Sequence, residues 1–184
     1  RAVGAETVAS APIPAMALAK RSNEMTEKDN LLIFYAGHGL AIKDRFGNND
    51  GYWIPSSARK GQEFTYISQA DINNVIKRSH AKHILVIADA CFSGAFILTN
   101  TRALSEDAGK DIVRQYEAPS RKVMASGSLE TVPDDSMFLR YLRSKLNDNK
   151  DKYVAADELF IRIKPAIISN SSTLPQYAPI LNTG

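Results

Sequence analysis

The sequence of 184 residues contains a single cysteine, Cys91, so the chain cannot form a disulfide within itself. The lack of a disulfide framework favours a reducing compartment, and we expect a cytoplasmic protein. A lone cysteine is either a small buried side chain or a reactive group. Here it lies in the segment IADACFSGA, where an apolar run meets a turn of small residues. The surroundings of Cys91 must therefore decide between the two roles.

Other absences exclude several classes of protein. No apolar run approaches the roughly 18 residues that span a membrane. The net charge is only +3 and the basic residues are scattered, so no nucleic-acid contact is indicated. The phosphate-binding pattern G-x-G-x-x-G is missing. His80 and His83 have no evident third ligand beside them, so we expect neither a metal site nor a cofactor.

The size and balance of the chain, with 44% apolar and 23% charged residues, are typical of one soluble globular domain. Residues 1–25 are alanine-rich and are interpreted as a linker, or the remnant of a preceding segment, that leads into a short helix. Because the first residue is Arg1 rather than methionine, we expect upstream segments to be missing. The globular domain is predicted over residues 26–184.

Two apolar runs are typical of strands. LLIFYA, which ends at Ala36, predicts a buried strand, and HILVIADA, which ends at Ala90, predicts a central strand covered on both faces. Between them, SQADINNVIKRSH carries Ser68 and Asp71 in capping-box spacing and predicts an amphipathic helix. Strand, helix and strand in this order predict a parallel crossover.

The remaining segments give weaker signals. The stretch AIKDRFGNNDG is predicted as a polar loop, YWIP and KVMASGS as short strands, and SMFLRYLRSKLND as a helix. A last helix in AADELFIRIKPAI is expected to be interrupted at Pro165.

Both apolar runs end in residues that can carry chemistry. His38 follows the first run in Gly-His-Gly, and Cys91 follows the second. Functional groups collect at the carboxyl ends of parallel strands, so both side chains are expected at one edge of the sheet. An imidazole can take the proton of a thiol and return it to a leaving amine. The backbone N–H groups of Gly39 and Cys91 are candidates for an oxyanion hole.

FYAGHG, followed by DACFSG with Cys91 placed 53 positions after His38, resembles the caspase and metacaspase superfamily of cysteine peptidases. The resemblance covers about residues 26–184, and the tail SSTLPQYAPILNTG is similar to that of bacterial caspase-like domains. It implies an α/β fold with a mostly parallel sheet of about six strands and helices on both faces. It also implies His38 as general base and acid, and Cys91 as the nucleophile that forms a thioester acyl-enzyme.

The resemblance carries further expectations about the whole protein. The first strands of the family precede the histidine strand, and residues 1–25 are too short to supply them, so these strands are expected to be missing from this chain. Protein or peptide substrates, and further domains or regulatory subunits, are the implied partners. The resemblance also implies a role in bacterial defence or cell death.

Two departures from caspases concern the substrate pocket. Caspases carry glutamine where this chain has Asp89, and the segment KVMASGS lacks the arginine that caspases place there. A pocket lined by Asp89, with Ser126 as a second candidate contact, would repel an acidic side chain and pair with arginine or lysine. Metacaspases often have serine at the position of Ala36, so lysine binding is expected to suffer more than arginine binding.

The polar stretch 99–120 is long for a connection inside one domain and is predicted as a processing loop. Its basic residues Arg102, Lys110 and Arg114 are candidate cleavage points. The sequence thus predicts a cysteine endopeptidase that cleaves after arginine or lysine and can cut itself. The alternatives are a catalytically silent caspase-like scaffold, an aspartate-specific caspase-like peptidase, and an α/β hydrolase or transferase of another class.

Overall fold

The computed structural model describes residues 15–90, 117–127, 135–151 and 153–180. Within these ranges the chain forms seven strands, four α-helices and one 3₁₀ turn, Glu63–Thr65. The strands are β1 (Asn30–Ala36), β2 (His38–Lys43), β3 (Asn49–Ile54), β4 (Ile67–Ser68), β5 (His83–Asp89), β6 (Ser120–Ala125) and β7 (Gln176–Pro179). The helices are α1 (Ala15–Asn23), α2 (Gln69–Arg78), α3 (Met137–Asp148) and α4 (Ala156–Asn170).

The main sheet has the strand order β1-β5-β6-β7. The first three strands are parallel, with Ile33 opposite Val86 and Val86 opposite Val123, while β7 runs antiparallel to β6. The two long apolar runs are thus neighbouring strands, connected through a segment that contains α2. This arrangement confirms the predicted α/β class and the parallel crossover.

Two clusters of buried residues lie on the two faces of this sheet, and both cover β5 and β6, whereas β1 is covered on one face only. The first contains Trp53 of β3 and Ile72 and Ile76 of α2, packed on one face of β1, β5 and β6. The second brings α3 and α4 against the other face, chiefly at Ile87 and Met124. Because both faces of β5 are covered, its residues are apolar almost without interruption.

The second sheet is antiparallel and has the order β2-β3-β4. The prediction of a polar loop over residues 41–51 is wrong at both ends, because β2 extends to Lys43 and β3 begins at Asn49, and the two strands pair along the whole length of β2. Residues of β2 are exposed or half-buried, so the sequence lacks the alternation that marks a strand with one buried face.

The turn between β2 and β3 is closed by Asp44. Its carboxylate accepts hydrogen bonds from the backbone N–H groups of Phe46 and Asn48 at 2.7 and 2.8 Å. A third bond, from the Asn48 side chain at 2.9 Å, is the main cause that lowers the pKa of Asp44. Gly47 follows with φ of 85°, in the left-handed region that glycine adopts without strain. These contacts fix the register of the hairpin that β2 and β3 form.

The helix predictions hold except at one point. The hydroxyl of Ser68 accepts a hydrogen bond from the N–H of Ala70 at 3.1 Å, which confirms Ser68 as the N-cap of α2. The expected interruption at Pro165 is wrong, because α4 continues to Asn170. Pro165 and Ile161, whose carbonyl loses its helical partner, are both exposed, so water can take the place of that partner.

Candidate active site

Three parallel strands end together at one edge of the main sheet. Ala36, the last residue of β1, lies opposite Asp89, the last residue of β5. Two backbone hydrogen bonds continue the ladders beyond the strands, from Gly37 N–H to the Asp89 carbonyl at 3.1 Å and from Ser126 N–H to the Ala88 carbonyl at 3.0 Å. The structure therefore brings the start of the Gly-His-Gly segment, Asp89 and Ser126 side by side.

Asp89 and Ser126 project from the same face of the sheet. Side chains alternate along a strand, and each of the two residues lies two positions after a member of the second cluster, Ile87 and Met124 respectively. Asp89 is 6% exposed and Ser126 is fully buried. The predicted pair of substrate contacts is thus adjacent, on neighbouring strands.

One polar side-chain atom of each residue has no hydrogen-bond partner in the described part of the chain. Asp89 Oδ1 and Ser126 Oγ make no hydrogen bond to any of the described residues. A buried polar atom without a hydrogen bond costs about 1–3 kcal/mol, and a buried carboxylate costs more. Such a cost is removed by a ligand that donates hydrogen bonds and carries positive charge.

His38 lies two residues beyond the end of β1, at the first position of β2, and its residue is exposed. Its imidazole makes no hydrogen bond within the described ranges. The backbone of His38 is held instead, since the hydroxyl of Tyr35 donates to the His38 carbonyl at 2.8 Å. Gly39, the candidate oxyanion donor, is the next residue of β2 and lies opposite Trp53. Its role as an oxyanion donor stays a prediction.

Sequence reasoning missed two neighbours of the histidine. In the sequence, Tyr35 is one more residue of an apolar strand, and Gly37 carries no predicted role. A methyl group on Gly37 would lie 2.9 Å from the Tyr35 hydroxyl, so the glycine makes room for that hydroxyl. The signal available in the sequence was a tyrosine two residues before glycine at the end of a strand.

Several predicted residues lie outside the described residues. These are the nucleophile candidate Cys91, the cleavage candidates Arg102, Lys110 and Arg114, and residues 99–116 of the predicted processing loop. The His38–Cys91 pair and the processing loop therefore stay predictions.

Two other features are absent from the described ranges, a cluster of metal-binding side chains and a membrane-spanning helix. No group of three or more His, Cys, Asp or Glu side chains in these ranges is arranged to hold a metal ion. None of the helices in this part of the chain is both long and apolar enough to cross a membrane.

Comparison with known proteins gives a family and a fold. Residues 14–179 match the family described as the Caspase domain. The crystal structure of protein GSU0716 from Geobacter sulfurreducens is similar, with a TM-score of 0.50 and 14% sequence identity, over 90% of this chain and 71% of that one. No curated protein matches this chain. At this identity the crystal structure supports the fold alone.

Proposed function

The chain belongs to the caspase domain family of cysteine peptidases, and from this premise we propose that it is an endopeptidase that cleaves protein substrates after arginine. Lysine is a second, poorer choice at the same position, and aspartate is rejected. His38 and Cys91 form the catalytic dyad of this proposal, with the N–H groups of Gly39 and Cys91 as oxyanion donors.

The observation that carries the specificity is the buried carboxylate of Asp89. It lies at the carboxyl edge of the sheet, two residues before the candidate nucleophile, with Oδ1 unbonded among the described residues. A cationic substrate side chain would supply both the missing charge and the missing hydrogen bonds. An acidic side chain would add a second negative charge, which is unfavourable in a buried pocket.

Ser126, which lies beside Asp89, favours an arginine side chain over a lysine side chain in the proposed pocket. A guanidinium presents five N–H groups in a planar fork, whereas an ammonium is a compact point charge. Two of the guanidinium N–H groups can bond to the Asp89 carboxylate while another donates to Ser126 Oγ, the second buried oxygen without a partner in the described ranges. An ammonium group at one point in the pocket satisfies fewer of these acceptors.

The proposed chemistry follows from the two side-chain types of the dyad. His38 takes the proton of the Cys91 thiol, and the thiolate sulfur attacks the carbonyl carbon of the scissile peptide bond. The C–N bond breaks as His38 passes the proton to the leaving amine, which leaves a thioester. Water, with its proton taken by His38, then hydrolyses the thioester and restores the thiol.

The test uses fluorogenic peptides that differ only in having arginine, lysine or aspartate before the reporter. We expect kcat/KM to fall in that order, with no measurable hydrolysis after aspartate. Cys91→Ala should abolish turnover. His38→Ala should be nearly as damaging, and the double variant little worse than either single one. Turnover that survives in Cys91→Ala, or equal rates after arginine and aspartate, would overturn the proposal.

Asp89→Asn tests the pocket separately from the dyad. Removing the charge that pairs with arginine should cost about 2 kcal/mol or more of transition-state stabilisation, or about 30-fold in kcat/KM. Asp151→Asn is the matched control, because Asp151 is exposed. Its kcat/KM should equal that of the unchanged protein.

We extend the proposal to self-processing after Arg102, Lys110 or Arg114. These residues are the type that the Asp89 pocket would accept, and they lie in a long polar stretch after the candidate nucleophile. Active protein and the Cys91→Ala variant are incubated side by side, and new N-termini are identified by mass spectrometry. Cuts after these residues in active protein alone are the expected result, whereas fully active enzyme with an intact 99–120 stretch would show that processing is not required.

A further inference from the structure

The histidine of a cysteine–histidine pair must be oriented, because proton transfer needs heavy atoms within about 3 Å of each other. In many such sites a third side chain bonds to the imidazole and fixes it. Here the imidazole of His38 has no hydrogen bond to the described residues, and His38 is exposed. Its position therefore depends on how firmly its backbone is held.

That backbone is held by Tyr35 at the junction of the two sheets. The Tyr35 hydroxyl lies 2.8 Å from the carbonyl oxygen of His38 and 3.1 Å from that of Ile54. His38 and Ile54 are register partners in the β2–β3 hairpin. A hydroxyl has one hydrogen to donate, and the shorter contact is to His38. One side chain of the main sheet thus bonds to the second sheet at the residue that carries the imidazole.

The tyrosine ring is itself fixed from two sides. It stacks on the ring of Trp53, with centroids 4.4 Å apart and an interplanar angle of 7°. On the Gly37 side, an added Cβ would come within 2.9 Å of the hydroxyl and 3.1 Å of the ring carbon that bears it. Trp53 is 3% exposed, so this stack is anchored in the first buried cluster.

We propose that Tyr35 is a positioning residue that acts through the backbone of His38. Its hydroxyl ties the His38 carbonyl to the end of β1, so the imidazole is presented at the strand edge from a fixed main chain. This inference rests on the proposed function, in which His38 is the general base. The same contact explains why position 37 is glycine, since any side chain there would displace the Tyr35 hydroxyl.

Tyr35 keeps the proton that its hydroxyl donates to the His38 carbonyl. Burial raises the pKa of Tyr35 to about 12 from an ordinary value of 10.0. The phenol therefore keeps its proton throughout the neutral range, and the hydrogen bond to His38 does not depend on pH there.

The test is Tyr35→Phe, which keeps the ring and its stacking but removes the hydroxyl. A reacting group misplaced by a fraction of an ångström lowers turnover strongly, so we expect kcat on the arginine peptide to fall about 5- to 50-fold. KM should stay within about twofold, because Asp89 and Ser126 are untouched. The control is Tyr177→Phe, which removes the hydroxyl of a half-buried tyrosine on β7, at the other edge of the sheet, and should leave both constants unchanged.

Unchanged kcat in Tyr35→Phe, or a raised KM with unchanged kcat, overturns the positioning role. An equal loss of kcat in Tyr177→Phe also overturns it, because a general loss of packing would then suffice. Thermal melts of each variant report whether it is folded. If Tyr35→Phe does not fold, Gly37→Ala takes its place, since it keeps the ring and displaces the hydroxyl, and the same fall in kcat is expected.

A second measurement separates this inference from the proposed function. The chain has three histidines, so NMR of the imidazoles resolves His38 from His80 and His83. In a Cys91→Ala background, Tyr35→Phe should shift the His38 signal alone, because His80 and His83 lie toward the opposite end of β5. An unmoved His38 signal contradicts the positioning role, whereas an absence of peptidase activity in the unchanged protein contradicts the proposed function.

Discussion

Asp89 is the residue at which stability and the proposed activity oppose each other. Its carboxylate is buried, and one of its oxygens has no hydrogen bond to the described residues. A charge in such a place lowers the stability of the free protein and becomes favourable only when a cation binds. Residues that serve binding are often destabilising for this reason.

We therefore predict that Asp89→Asn raises the free energy of unfolding by about 1 kcal/mol while it weakens arginine cleavage. The measurement is urea denaturation at pH 7, with Asp151→Asn as the control that stays within about 0.5 kcal/mol of the unchanged protein. A loss of stability in Asp89→Asn would mean that the carboxylate already has a favourable partner in the free protein.

Tyr35 gives a prediction for alkaline pH. In the unfolded chain its phenol titrates near 10.0, and in the folded protein burial raises the pKa to about 12. Between these values the unfolded chain has lost the proton and the folded protein has kept it, so rising pH favours unfolding. The stability tied to Tyr35 is thus complete below the unfolded pKa and is lost as the pH rises to about 12.

The slope in this window stays below the ideal value of about 1.4 and reaches about 1 kcal/mol per pH unit, because neither titration is complete there. Solvent screening of the half-buried ring narrows the pH range over which this slope applies. In Tyr35→Phe, the unfolding free energy should fall less steeply with pH in this window, and the difference in slope from the unchanged protein should be about 1 kcal/mol per pH unit. Tyr153→Phe, a change at a tyrosine that is 66% exposed, is the comparison and should keep the original slope. Identical slopes for all three proteins would be incompatible with a raised pKa at Tyr35.

Among the helices and strands, α4 shows the clearest conflict between local sequence preference and observed structure, because it contains a proline. Pro165 lies inside the helix, where it removes one backbone hydrogen bond and crowds the preceding turn. The helix persists because Phe160, Ile163 and Ile167 bury their side chains in the second cluster. Tertiary packing therefore outweighs the local preference of proline to end a helix.

We predict that Pro165→Ala raises the free energy of unfolding by about 1 kcal/mol. The restored hydrogen bond and better helix propensity exceed the entropy that proline removes from the unfolded chain. Chemical denaturation followed by far-ultraviolet circular dichroism measures the change, with Ser169→Ala on the exposed surface of α4 as the neutral control. A decrease in stability would show that Pro165 matches the helix geometry without strain.

At the scale of the molecule, the two buried clusters share the main sheet. The side chains of β5 alternate between them, with Val86 in the first cluster and Ile87 in the second. Loss of one cluster would expose one face of this central strand, so the clusters should unfold together. The second cluster covers β5 and β6 but leaves Leu32 and Phe34 of β1 61% and 51% exposed.

The single tryptophan makes this cooperativity measurable, because Trp53 belongs to the first cluster. Phe138→Leu in the second cluster should lower the unfolding free energy by about 1 kcal/mol. Fluorescence of Trp53 and helical circular dichroism should then shift by the same amount and give coincident transitions. A Trp53 transition that stays in place while the helical signal shifts would show that the two clusters unfold separately.

The sequence by itself determined the features whose physical cause is local or periodic. The apolar runs of β1 and β5, the face and N-cap of α2, and the α/β class were predicted because continuous apolar strands and amphipathic helices have distinct patterns. The sequence also predicts that the two apolar strands end at one edge, because parallel strands carry their carboxyl ends to the same edge, and Ala36 of β1 indeed lies opposite Asp89 of β5.

Only the tertiary structure decided features that depend on residues distant in sequence. β2 is a strand because β3 pairs with it, and α4 continues through Pro165 because the second cluster holds it. The sequence contains no sign that the hydroxyl of Tyr35 reaches the carbonyls of His38 and Ile54, since that contact needs both sheets in place. The burial of Asp89 Oδ1 and Ser126 Oγ without a hydrogen bond to the described residues is likewise a property of the assembled sheet and helices, because polar atoms lose water only when packing encloses them.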